Sequence, residues 1–331
     1  MAPFANLALL RTGMACLALL LGGAGALAFD LQGHRGARGL APENTLPAFE
    51  KALRIGVTTL ELDVGMTRDG VIVVAHDPRL NPDITRSPDG AFLTGPGKAL
   101  TEMTLEELRG YDVGHARPGS RTARAFPDQT PADGARIPTL EEVFALAERL
   151  GARDVRFNIE TKSSPLPDAA TPEPRAFAAA LAKTIDKAGL RERATIQSFD
   201  WRTLMALREI APDIPRVCLT SEGSFDTLQR GKEEDSPWLG GLDVDDFESV
   251  PALVAEAGCT TWSPNFRNLT EALVDDAQDM ELSVVPWTVN ETEDMARLID
   301  WGVDGLITDF PDKARTVMAT KGLPLPAPVA P

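Results

Sequence analysis

The chain has 331 residues, and 49 acidic against 33 basic side chains leave a formal net charge of −16. An acidic surface repels nucleic acid and anionic membranes, so neither is expected as a partner, and an anionic substrate has to be drawn in by a local cluster of positive charge. Three widely spaced cysteines, Cys16, Cys218 and Cys259, provide no C-x-x-C pair, which excludes cysteine-based zinc binding.

Arg11, the apolar stretch from Met14 to Leu21 and the small-x-small triplet Ala26-Leu27-Ala28 read as a signal peptide over residues 1–28, cleaved after Ala28. The stretch is too short and glycine-broken to span a bilayer, so a secreted, periplasmic protein without a stable membrane anchor is expected. A lipid anchor through Cys16 is disfavoured, because Arg11 lies close to it and the apolar core follows it. The other two cysteines are left as one disulfide or two buried thiols, and buried thiols are the more common outcome.

Strand-like runs follow near residues 30–33, 58–65, 155–161, 194–199, 215–220, 259–263, 282–288 and 304–308. Helical patterns at 44–56, 139–151, 173–189, 200–211, 249–257, 270–280 and 291–301 lie between most of them. Alternation of this kind implies parallel strands with outer helices, and eight units close a (β/α)8 TIM barrel, an α/β fold. The open doubly wound sheet is the alternative, but HRGARG lacks the glycine spacing of a G-x-G-x-x-G turn. The barrel domain is assigned to residues 29–318, with a hairpin extension at 71–76 and a proline-rich tail at 319–331, expected extended or disordered. A loosely patterned insertion over about 79–136, with one helical start at TLEELRG, is read as a cap at the barrel mouth. Thr139 with Glu142 reads as the capping box that opens the next barrel helix.

The chemistry concentrates early. His34 and His76, two of only three histidines, flank the carboxylates Glu61 and Asp63 in the run VTTLELDVGM. Asp69-Gly70 between this run and VIVVA signals an antiparallel hairpin, and a two-residue loop there sets Asp63 opposite His76. Glu61, Asp63 and His76 then share one face. Burying two like charges without a cation costs several kcal/mol per ion, so a metal or a basic clamp is the natural remedy. Further along, VRFNIETK places Glu160 and Lys162 on one strand face. Three carboxylates, one divalent cation, Arg35 and Lys162 leave a residual charge of plus one, which suits a monoanionic phosphodiester. Oxygen-only ligation favours Ca²⁺ or Mg²⁺ over zinc.

HRGARGLAPENT, ELDVGMTRDGVIVVAHDP, the E-x-K of NIETK, QSFDW, VVPWTVN and VDGLITDFP stand in the order found in glycerophosphodiester phosphodiesterases, which the chain resembles from about residue 30 to 313. The resemblance implies a metal-dependent barrel that hydrolyses glycerophosphodiesters, such as glycerophosphocholine or glycerophosphoethanolamine, to sn-glycerol 3-phosphate and an alcohol. It implies His34 and His76 as the acid/base pair, Glu61, Asp63 and Glu160 as ligands of one divalent cation, and Arg35 and Lys162 as phosphate binders. Gln197, Trp287 and Glu43 match positions in or near the family's pocket and are taken as substrate-binding. The family suggests a neighbouring glycerol hydroxyl as nucleophile, and the sequence does not separate that from direct attack by water.

Two other readings compete: a phospholipase D-like enzyme of the same barrel group acting on lysophospholipids, and a non-enzymatic periplasmic binding protein. Two retained histidines argue against the latter, because a binder needs no proton shuttle. His115, in the insertion, reads as a surface or cap residue. DVDDFE lacks the glycine and terminal glutamate of a calcium loop.

Overall fold

The structure, a computed structural model, describes residues 29–330. The predicted signal peptide and Cys16 lie outside the described residues. In chain order the elements are β1 (Asp30–Gly33), α1 (Leu46–Ile55), β2 (Thr59–Met66), β3 (Ile72–Val74), α2 (Leu105–Leu108), α3 (Arg121–Ala125), α4 (Leu140–Arg149), β4 (Arg156–Thr161), α5 (Pro174–Ala188), β5 (Ala194–Ser198), α6 (Trp201–Ile210), β6 (Arg216–Thr220), α7 (Val250–Glu256), β7 (Thr261–Pro264), α8 (Glu271–Asp279), β8 (Ser283–Val284), α9 (Thr292–Asp300), β9 (Gly305–Thr308) and α10 (Pro311–Thr320).

Eight strands run parallel in the order β8-β7-β6-β5-β4-β2-β1-β9, and β3 hangs antiparallel on β2. Backbone hydrogen bonds cross the remaining seam, from Asp304 N to Val284 O at 3.0 Å, Ile307 N to Pro286 O at 3.0 Å and Val289 N to Ile307 O at 2.9 Å. The fold is therefore the predicted (β/α)8 barrel. Strand residues Leu31, Leu60, Leu62, Ile159, Ile196 and Leu306 pack outward against Phe49, Phe144, Phe177, Leu181, Leu204 and Leu298, all buried. Each such side chain contributes about 1.5–3 kcal/mol by leaving water.

The seven predicted barrel helices appear within two residues of their expected bounds. Thr139 accepts from Glu142 N while the Glu142 carboxylate accepts from Thr139 N, the expected capping box. Three expectations need correction. β8 ends at Val284 rather than 288, because Pro286 has no N–H to give the ladder. An eighth helix, α10, follows β9, opened by Pro311 at its first turn and buried through Ala314 and Met318. Finally, Cys218 on β6 and Cys259 just before β7 form a disulfide, with 5.9 Å between their Cα atoms, where buried thiols were the favoured outcome.

The proline-rich tail is extended and docked: Val329 N donates to Leu53 O at 3.1 Å, and Leu323 and Val329 pack on the core. The insertion builds a second apolar cluster, in which Leu80, Leu100, Met103, Leu108 and Val113 cover Val73 of β3. No helix among the described residues is long and apolar enough to cross a membrane.

Candidate active site

The site sits at the C-terminal ends of the strands, where backbone turns aim side chains into the mouth. At the end of β1, His34 N donates to Thr308 O at 2.9 Å, and the chain turns through Arg35 at φ 50° and Gly36 at φ 88°. Gly36 is obligatory, because a Cβ there would meet the Ala48 carbonyl carbon at 2.6 Å. The turn lets Arg35 N reach Glu61 Oε2 at 2.8 Å.

The ENT triplet then divides its work. Glu43 accepts from Arg35 Nη1 at 2.8 Å and from Arg38 Nε at 2.6 Å. Asn44, at φ 55°, donates its amide to Asp63 Oδ2 at 2.8 Å, and Thr45 caps α1. Glu61 and Asp63 alternate with Leu60, Leu62 and Val64 on β2, so the acids face inward while the aliphatic residues face the helices. Glu160 enters from β4, where it pairs with Asp63 in the parallel register.

One carboxylate oxygen from each of Glu61, Asp63 and Glu160 lies within 4.8 Å of the others, and all three residues are buried. Asp63 Oδ1 is buried without a hydrogen-bond partner, with Lys162 Nζ 3.8 Å away. Three converging carboxylate oxygens with one left unsatisfied are a donor set that fits a hard divalent cation.

The hairpin register differs from the predicted one. Val64 pairs with Val74 and Met66 with Ile72, so Asp63 faces Ala75, whose N–H donates to its carbonyl at 3.0 Å. The reason is a three-residue loop closed by Thr67 N to Val71 O, with Gly70 at φ 79° in the left-handed position. His76 still reaches the mouth because β3 ends at Val74, and the chain leaves the ladder before the histidine.

Each mouth histidine is anchored through Nδ1. His34 Nδ1 lies 2.6 Å from Asp309 Oδ1, and Asp309 is held in turn by Asn290 Nδ2 at 2.7 Å. His76 Nδ1 lies 3.1 Å from Asp77 Oδ1, and Asn81 Nδ2 holds Asp77 at 2.7 Å. Carboxylates at Nδ1 assign the proton to that nitrogen, which leaves Nε2 of each ring to take or give a proton. Asp309, Asp77, Asn81 and Asn290 hold the two rings, a role that sequence reasoning did not assign to them. Only Asp77, next to His76 in HDP, carries a local signal.

His34, Arg35, Arg38, Glu61, His76, Glu160, Lys162, Gln197 and Trp287 line one cavity of about 240 Å³. Phe199, Leu219 and Ile307 form its apolar side. Glu43 stands behind the two arginines rather than on the cavity wall. Gln197 is on the wall, but its amide donates to Glu61 Oε1 at 2.7 Å, so it orients a carboxylate. Trp287 donates Nε1 to Ser263 O at 3.0 Å and packs on Phe199 at 5.3 Å. His115 lies apart on the insertion, 3.2 Å from Asp133.

Electrostatics follow from this crowding. Burial, then the charges of Asp63 and Glu160, push the Glu61 carboxyl well above the usual range. Burial also lifts Glu160, to about 7, although Lys162 Nζ 2.6 Å away opposes the shift. Burial acts on Asp63 in the same direction, but Arg35, His76 and Lys162 outweigh it and hold that carboxyl below its ordinary value. For His76, burial and then Arg35 and Lys162 pull the imidazole down to about 4. His34 is lowered by burial, against the opposing pull of Asp309. Both imidazoles are thus neutral near pH 7.

Neutral imidazoles beside fixed cations can move protons while a phosphate ester is held, which places the protein among barrel enzymes that cleave such esters. The sequence profile of the glycerophosphoryl diester phosphodiesterase family matches residues 34–313, and the chain belongs to that family, which makes it a phosphoric diester hydrolase. It is 32% identical over 279 residues to a glycerophosphodiester phosphodiesterase of Caldanaerobacter subterraneus subsp. tengcongensis, covering 84% of this chain and 93% of that one. To a glycerophosphodiester phosphodiesterase of Bacillus subtilis it is 30% identical over 283 residues, with 84% and 83% covered. A crystal structure from Silicibacter pomeroyi, assigned as a glycerophosphoryl diester phosphodiesterase, superposes with TM-score 0.79 at 37% identity, covering 89% of this chain and 95% of that one. An Oleispira antarctica phosphodiesterase in complex with the product sn-glycerol-3-phosphate shares the fold at TM-score 0.65 and 20% identity, with 88% and 97% covered.

Proposed function

We propose that the protein hydrolyses glycerophosphodiesters, such as glycerophosphocholine or glycerophosphoethanolamine, to sn-glycerol 3-phosphate and an alcohol. His34 and His76 serve as the proton-transfer pair, and Glu61, Asp63 and Glu160 hold one divalent cation, Ca²⁺ or Mg²⁺. The observation that carries this reading is the pairing, at one cavity, of two imidazoles locked through Nδ1 with three converging buried carboxylates, one of whose oxygens, Asp63 Oδ1, has no hydrogen-bond partner.

A bound cation would supply Lewis-acid stabilisation of the charge on the phosphate oxygens. The chain's own groups do the rest. Lys162 and the arginines orient the anionic diester, and the apolar side formed by Phe199, Leu219 and Ile307, with Trp287 beside it, excludes water from it. One neutral imidazole accepts the nucleophile's proton at Nε2 as the nucleophile's oxygen bonds to phosphorus, and the other, which has first taken a proton from solvent, gives it to the leaving alkoxide as that P–O bond breaks. Asp309 and Asp77 stabilise each imidazolium as it forms, by accepting from Nδ1.

The test is release of sn-glycerol 3-phosphate from glycerophosphocholine by chelator-stripped protein, before and after Ca²⁺ or Mg²⁺ is restored. Release only after restoration supports the reading and names the ion. Silence on every glycerophosphodiester, with turnover of a lysophospholipid, would transfer the assignment to the lysolipid reading. The leader assigned to residues 1–28 adds a proposal of export to the periplasm, checked by N-terminal sequencing of the secreted chain.

A further inference from the structure

Arg35 and Lys162 are the sequence-assigned phosphate binders, yet the structure engages both elsewhere. Arg35 is wedged between Glu43 and Asp63, with Nη1 2.8 Å from Glu43 Oε1 and Nε 3.1 Å from Asp63 Oδ2, and its side chain is only 10% exposed. Lys162 gives Nζ to Glu160 at 2.6 Å and lies 3.8 Å from Asp63. A third cation lines the same cavity. Arg38 is tied at Nε alone, to Glu43 Oε2 at 2.6 Å, and its two terminal amino groups have no hydrogen-bond partner among the described residues.

Its placement is set by the insertion. The guanidinium lies 4.8 Å over the ring of Phe126, which packs in turn on Phe310 with ring centroids 6.2 Å apart. The backbone at and just after Arg38 is pinned to the insertion as well: Gln129 Nε2 donates to Arg38 O at 2.8 Å, and Thr130 N to Leu40 O at 3.0 Å. A planar guanidinium held through one nitrogen and one face keeps its remaining edge for a forked contact with an anionic oxygen pair.

We propose that Arg38 is a principal anchor for the phosphodiester anion and that Phe126 of the insertion is its positioning residue. This rests on the phosphodiesterase reading above and deepens it: the insertion acts on the site by fixing the angle of a cation. Arg35 and Lys162 then divide their charge between the diester and the carboxylate triad.

Three variants test the proposal: Arg38→Lys, which keeps a counter-ion for Glu43 but loses the fork; Arg38→Met, which keeps the packing on Phe126; and Phe126→Leu, which leaves the Arg38–Glu43 pair intact. Each is measured for kcat and KM with glycerophosphocholine, for competitive inhibition by inorganic phosphate and by sn-glycerol 3-phosphate, and for divalent-cation affinity. Loss of a charge-assisted hydrogen bond corresponds to about a tenfold to hundredfold rise in KM and in both inhibition constants for the Arg38 variants, with a smaller fall in kcat and unaltered cation affinity. Phe126→Leu should raise the same constants a few-fold, and nothing further once Arg38→Met is present. Unchanged phosphate inhibition in Arg38→Lys and Arg38→Met, in protein that turns over substrate, would overturn the anchor. A Phe126 effect that adds fully to that of Arg38→Met would overturn the positioning role. A wild-type protein inactive on all glycerophosphodiesters would instead refute the underlying reading, and phosphate binding lost in Arg38→Met would even then support the anchor.

Discussion

The two ends of the barrel use the same kinds of residues to opposite effect. At the floor, where strands begin, Asp30 accepts from Thr59 Oγ1 at 2.6 Å and Gln32 Nε2 at 2.8 Å and faces Arg156 at 2.9 Å. Asp304 there accepts from Val284 N at 2.7 Å and Gln278 Nε2 at 3.1 Å. At the mouth, where strands end, Glu61, Asp63 and Glu160 crowd together, and one buried oxygen of Asp63 has no donor. Floor acids accept from donors of neighbouring strands and helices, and Asp30 also faces a cation, so they tie elements together. Mouth acids converge on one another, and Arg35 and Lys162 offset their charge without satisfying every oxygen. Acids satisfied within the chain mark structure, and a converging buried set with one oxygen left unsatisfied marks a site.

The sharpest way to break this comparison is at the histidines. His34→Ala and His76→Ala should each lower kcat about a hundredfold to ten-thousandfold, because each removes a proton-transfer step. Their thermal unfolding should stay near that of the wild type. Full turnover in either would end the assignment. The next effect concerns the crowded carboxylates. Glu160 titrates near 7 instead of the ordinary 4.5, so the metal-free fold binds its proton more tightly than the unfolded chain does. The stability from that proton is fully present below about pH 4.5 and is lost as pH rises through about 7. Added Ca²⁺ or Mg²⁺ should therefore raise the unfolding temperature more at pH 8 than at pH 5, and apparent cation affinity should weaken as pH falls below about 7. An equal shift at both pH values would show that the triad does not bind the ion.

Much of this was legible in the sequence, and the failures have physical causes. The barrel could be read because its helices carry apolar faces at helical spacing and its strands are short apolar runs between them. Glu61, Asp63 and Glu160 stood out as acids inside such runs. The hairpin register was misread because Asp69-Gly70 serves both two- and three-residue loops, and only tertiary contacts decide. Asp69 Oδ1 accepts from Leu105 N at 3.1 Å, a bond to the insertion that no local pattern announces. α10 was missed because Pro311 reads as a breaker as readily as a first helical residue. Asn290 and Arg38 were invisible as functional groups, since their partners Asp309 and Phe126 lie far along the chain.

Away from the mouth, effects should move from turnover to stability. The Cys218–Cys259 disulfide joins residues 41 apart, one on β6 and one just before β7, so replacing both cysteines with serine should cost about 2–4 kcal/mol, mostly through the freed unfolded chain. Denaturant unfolding with and without reductant measures it, and wild-type protein that loses no stability on reduction would contradict the bond.

The smallest effect is the most discriminating for the two-ended picture. Asp30→Asn at the floor keeps the side chain's shape but removes the charge facing Arg156, whose side chain is 42% exposed, and replaces one acceptor by a donor. Solvent screening makes the ion pair worth little, and the altered hydrogen bond adds a modest term, so the loss should be about 1 kcal/mol. kcat and KM should not move, because the floor acids touch none of the groups that line the mouth cavity. A tenfold loss of kcat with unaltered unfolding would mean that the floor is coupled to the chemistry through Gln32, Asn158 and Gln197, which link the two ends by bonds of 2.8 and 2.9 Å and reach Glu61. A small stability loss at full activity would leave that chain of amides as a support that holds Glu61 in place without transmitting the floor's charge.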